Sequence, residues 1–148
     1  MIATIQQLRE ISQRCLAGVP LDEGLARWLG TSLDRFLSHR ASTIEDAFGL
    51  RFPRGGIPWW IEEAIRQRDA ALRELARHFY SGLSTAAQAR EIHRLAVRFA
   101  ASAWLRQRDA ESAPAVYAGT PFQFLWSAFK SGAVMPLSER QLRHVLGP

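Results

Sequence analysis

Residues 83–108 read LSTAAQAREIHRLAVRFAASAWLRQR, and this stretch decides the fold class. Ile92, Leu95, Ala96, Phe99 and Ala103 recur at three- and four-residue spacing, the period of a helix with one buried face. Arg90, Arg94 and Arg98 recur every four residues. At about 100° per residue, that row falls roughly opposite the Phe99 stripe, with Val97 and Trp104 as a narrower second apolar line. The spacing predicts a helix over about 84–108 that is central, packed on two sides and basic on the rest. Thr85 and Gln88 fit a T-x-x-Q capping box at its start.

Charge is uneven around this helix. From residue 77 to 108 the chain carries Arg77, Arg90, Arg94, Arg98, Arg106 and Arg108 against Glu91 as the only acid. An uncompensated arginine surface suits an anionic partner, because the planar guanidinium makes bidentate contact with phosphate or carboxylate. The whole chain, at 148 residues and +5, has the same bias. Nearly all of that charge is arginine, with Lys130 as the single lysine, and such a skew also arises from genomic base composition.

On the N-terminal side the same reading gives a helix over residues 4–17, with Thr4 and Gln7 as its box, Cys15 as a small hydrophobe on the apolar face, and Gly18 and Pro20 as the stop. A second helix covers about 21–39, with Asp22 and Glu23 at the positive end of its dipole and Leu25, Trp28, Leu29, Leu33, Phe36 and Leu37 inward. A short third helix covers 43–48, with Ser42 and Glu45 as its box and Gly49 ending it. Residues 50–58 hold two prolines and two glycines and must be a loop. The loop's Gly pair and arginines, with Trp59 and Trp60 beyond, could cradle phosphate and stack bases; a hinge leading into a helix is the stronger account. The fourth helix, 58–79, has Arg68 interrupting its apolar stripe, with Glu62–Arg66 and Asp69–Arg73 as expected ion pairs.

On the C-terminal side, residues 109–119 are polar and small, a loop anchored by Val116 and Tyr117. Thr120, Pro121 and Gln123 open a helix bearing Phe122, Leu125, Trp126 and Phe129; Ser138 and Gln141 open a final one with Leu142, Val145 and Leu146 inward. This hairpin has the outline of a helix-turn-helix whose second helix offers Arg140, Gln141 and Arg143 to a groove. A packing hairpin explains the same residues. The fourth and central helices form a rival pair.

Together these elements give an all-α fold: a single-domain bundle of about seven helices around the long central helix, residues 1–148, with a C-terminal helical hairpin and loops near 50–58 and 109–119. A composition of 47% hydrophobic residues can fill one core. One cysteine excludes an intrachain disulfide, and neither a signal peptide nor a membrane span is discernible, so a cytoplasmic protein is expected. The four histidines lack metal-ligand spacing, and no P-loop, G-x-G-x-x-G or G-x-S-x-G occurs. No metal, cofactor or catalytic residue is expected, and an enzyme ranks last.

The leading expectation is a non-enzymatic, regulatory nucleic-acid-binding protein. Arg77 would belong to the nucleic-acid-binding surface, where Arg90, Arg94 and Arg98 would contact phosphates and Arg140, Gln141 and Arg143 base edges. The alternative is an adaptor or inhibitor that binds an acidic protein through arginines and Trp59, Trp60 and Trp126. Either could act as a homodimer.

Overall fold

The computed structural model describes residues 2–52 and 54–147; Pro53, within the expected loop, lies outside them. Every regular element among the described residues is helical, as the periodicity predicts. Packing divides the chain into two compact units, Met1–Trp59 and Trp60–Pro148.

The first unit holds α1 (Ile2–Leu16), α2 (Glu23–Leu37) and α3 (Ile44–Phe48). Asp22 caps α2 by accepting from the Leu25 N–H at 2.9 Å, and Thr43 caps α3 by accepting from the Asp46 N–H at 3.1 Å. Ser42, expected in that role, bonds the Asp46 carboxylate instead. Gly49 adopts a left-handed φ of 70°, which lets Leu50 N–H reach back to the Glu45 carbonyl at 2.7 Å. That turn drives Leu50 into a cluster with Ile5, Ala41, Ala47 and Phe48, against which Trp28 and Trp59 pack. Trp28 meets Phe48 edge-on at 5.4 Å. Two apolar assignments fail here. Cys15 and Leu16 lie in the last turn of α1, which runs past the cluster, so Cys15 is exposed and Leu16 is 87% exposed. Leu33 and Leu37 of α2 also face outward.

The second unit comprises α4 (Trp59–Phe79) from Trp60 onward, α5 (Thr85–Ala101), α6 (Ala103–Gln107), a 3₁₀ turn (Ala115–Tyr117), α7 (Pro121–Lys130) and α8 (Glu139–Leu146). Leu72, Leu75, Ile92, Phe99, Leu125 and Leu142, from α4, α5, α7 and α8, are its largest fully buried side chains. Phe99 is central, ringed by Trp104, Tyr117, Phe122 and Phe129 at centroid distances of 5.3–6.2 Å.

The expected helix over 84–108 is two helices, which accounts for eight described α-helices where about seven are expected. Ser102 breaks it with φ −131° and ψ −88°. Its hydroxyl donates to the Arg98 carbonyl at 2.7 Å and its N–H to the Phe99 carbonyl, so the i−4 ladder is lost there. The break turns Trp104 onto Phe99, Trp126 and Phe129. At the other end Ser84, one residue before the expected Thr85, is the cap, and Gln88 Nε2 donates to the Tyr80 carbonyl. In the 109–119 loop Tyr117 is the anchor, its hydroxyl accepting from Gln107 Nε2 at 2.9 Å, whereas Val116 is 78% exposed.

Candidate nucleic-acid interface

The arginines divide by whether an acid accompanies them. Arg77 pairs with Glu74 at 2.6 Å, and the same carboxylate lies 3.2 Å from His78. The Arg77 hydrogen bond holds the Glu74 carboxyl below its ordinary range, and Glu74 in turn raises Arg77. Arg94 pairs with Glu91 at 2.6 Å. Residues 77–108 are therefore less bare than the sequence suggests, because α4 supplies an acid from just outside the stretch. Arg90, Arg98, Arg140 and Arg143 are exposed and have no acidic partner among the described residues.

The expected ion pairs of α4 are replaced. Arg66 pairs with Glu63, three residues back, rather than Glu62. Arg68 pairs with Asp69 at 2.6 Å and donates to the Val134 carbonyl; Arg73 Nε donates to the Val145 carbonyl at 2.8 Å. These two bonds from α4 fasten the chain before α8 and the end of α8 itself. His93 of α5 adds a contact to the Leu137 carbonyl at 3.3 Å. Sequence reasoning missed both arginines; the one signal was Arg68 interrupting an apolar stripe, which marks a polar group placed against a neighbour.

α8 is amphipathic over its eight residues. Leu142 and Val145 are buried, and the helix packs along α5. Its opposite face carries Arg140, Arg143 and His144, which line one shallow concavity with Gly147. Ser138 caps it by accepting from the Gln141 N–H at 3.2 Å, while Gln141 Oε1 accepts from the Leu137 N–H at 2.7 Å. Gln141 is thus a capping residue, with only its amide NH₂ left for a partner.

The helix-turn-helix outline changes in detail. Residues 131–138 separate α7 from α8, more than the turn of about 3–4 residues in that motif. α8 is held by α4 and α5.

Of the tryptophans, Trp126 is 6% exposed and packs against Trp104 at 6.3 Å, so it belongs to the core and cannot anchor a partner. Lys130 lies 5.7 Å above its ring. Trp59 is half-buried against the cluster of the first unit, and Trp60 is 52% exposed.

Among the described residues, no group of three His, Cys, Asp or Glu side chains converges as metal ligands would, and no helix is long and apolar enough to cross a membrane. Set against protein-family models, curated proteins and solved structures, the chain matches none.

Proposed function

We propose that the protein is a non-enzymatic, regulatory nucleic-acid-binding protein acting through the second unit. The observation that carries this reading is α8: its inner face is fixed by buried Leu142 and Val145, and its outer face offers Arg140 and Arg143, neither of which is ion-paired although Glu139 opens the same helix. A helix anchored on one side and basic on the other is the arrangement that major-groove readers use. Arg140 and Arg143 are the candidates for base edges. Arg90 and Arg98 on α5 are the candidates for phosphate, joined by Arg94 when it leaves Glu91.

The test is fluorescence anisotropy with labelled double- and single-stranded oligonucleotides at low and near-physiological salt. Affinity should fall steeply with salt. Arg98→Ala should weaken all sequences alike and lower the salt slope by about 1, whereas Arg140→Ala or Arg143→Ala should cost about 1–3 kcal/mol and relax sequence preference. Absent or salt-insensitive binding would overturn the reading.

A second reading, recognition of an acidic protein, is favoured by one observation: the exposed Trp60 borders a cavity whose neighbouring compartment is basic.

A further inference from the structure

Two cavities lie side by side on the second unit. One, of about 520 Å³, is walled by Trp60, Ile61, Ala64 and Ile65 of α4 and by residues 131–134. The other, of about 600 Å³, is lined by residues 134–137 and by Arg140, Gln141 and His144 of α8. Arg68 and Val134 line both, so the two form consecutive compartments of one groove. The first is apolar apart from Arg68 and Ser131. The second adds Arg140 and His144, and no carboxylate lines either.

That polarity selects the occupant. Nucleic-acid interfaces are polar and densely positive, and aliphatic walls such as Ile61, Ala64 and Ile65 offer a phosphate backbone nothing. They fit an apolar side chain of a protein. At the other end, Arg68 already has Asp69 and the Val134 carbonyl, but Arg140 has no acid, so the unbalanced charge there is positive. A carboxylate complements it.

We propose that this groove docks a short acidic segment of a partner protein, with an aliphatic or aromatic side chain against Ile61, Ala64 and Ile65 and carboxylates following toward Arg140 and His144. The proposal rests on the second reading above and gives it a location and a ligand chemistry. Because Arg140 and His144 also belong to the outer face of α8, an occupied groove competes with nucleic acid for them.

The experiment is selection of random peptides displayed on phage against the full chain, followed by affinity measurements on the synthetic consensus peptide. The expected consensus places an apolar residue a few positions from Asp or Glu. Ile61→Asp, at an exposed position, should abolish binding, and Arg140→Glu should weaken it about tenfold, a loss of about 1.4 kcal/mol. Exchanging the peptide's carboxylates for lysine should restore binding to Arg140→Glu. Circular dichroism of both variants should match the parent chain. An acidic consensus that binds both variants as it binds the parent would keep the adaptor reading and overturn the groove. No apolar-acidic consensus would overturn both. Loss of oligonucleotide binding in Ile61→Asp with no peptide selected would assign the groove to nucleic acid, and that too would overturn the proposal.

Discussion

In Met1–Trp59, seven arginines face six acids, and four are paired on the surface: Arg14 with Glu10, Arg27 with Glu23, Arg40 with Asp34 and Arg51 with Asp46. Its cluster is built on five buried residues, two of them alanine. In Trp60–Pro148, twelve Lys and Arg face eight acids, and Phe99 sits among four aromatic rings. Uncompensated charge destabilises a compact state through self-repulsion. The unit with the deeper core is the one that carries it. Stability and a charged surface therefore coincide in one unit, which is where a binding surface can be maintained without loss of the fold.

This contrast can be broken or sharpened by measurement. The largest effect is expected from Phe99→Ala, about 3–5 kcal/mol of lost stability in urea unfolding, because four rings lose their common neighbour. Leu50→Ala should cost about 2–3 kcal/mol. Its loss of hydrogen-exchange protection should be confined to α1–α3; equal loss in α4–α8 would dissolve the contrast between the units. Ser84→Ala removes the cap of α5 and should cost about 1 kcal/mol, with Thr85→Ala near neutral; the reverse order would restore the cap expected from the sequence. Glu91→Gln should release Arg94 and tighten oligonucleotide binding by about two- to threefold, an effect of a few tenths of a kcal/mol typical of an exposed pair. Unchanged or weaker binding would remove Arg94 from the interface.

The smallest effect concerns acid. Glu74 is held below its unfolded value by Arg77, so its contribution is present above the ordinary carboxylate range and is lost as pH falls through the lowered folded value. Glu74→Gln should therefore lower stability slightly at neutral pH and leave it unchanged once acid has protonated Glu74 in the folded state as well. A difference that persists there would assign the effect to packing.

Much of the architecture was legible because it is local. Gly49 as a stop and the S-x-x-Q box at Ser138 and Gln141 are fixed by residues within one turn. The division at Ser102 was not legible, since Ile92, Phe99 and Ala103 keep helical spacing straight through it. What decides there is Trp104 finding a place among Phe99, Trp126 and Phe129. Trp126 was readable as core from its spacing with Leu125 and Phe129, but its residue type suggested an interface anchor as well. Arg68 and Arg73 donate to backbone carbonyls 66 and 72 residues away, and no side-chain pattern announces a backbone acceptor. The groove was equally hidden, since α4 and residues 131–137 form it from opposite ends of the second unit.

Those two arginine bonds also bear on the order in which the surface comes into being. α8 has eight residues, and isolated helices shorter than about 12–15 residues are marginal in water. Its helical form therefore depends on α4 and α5 being in place, across sequence separations that close slowly. A partly folded chain in which α4 and α5 have already paired carries every arginine of the second unit, yet it lacks the arrangement of Arg140 and Arg143. On the proposed reading, recognition is thus a property of the completed fold, and an intermediate with the same charge would attract anions without discriminating among them.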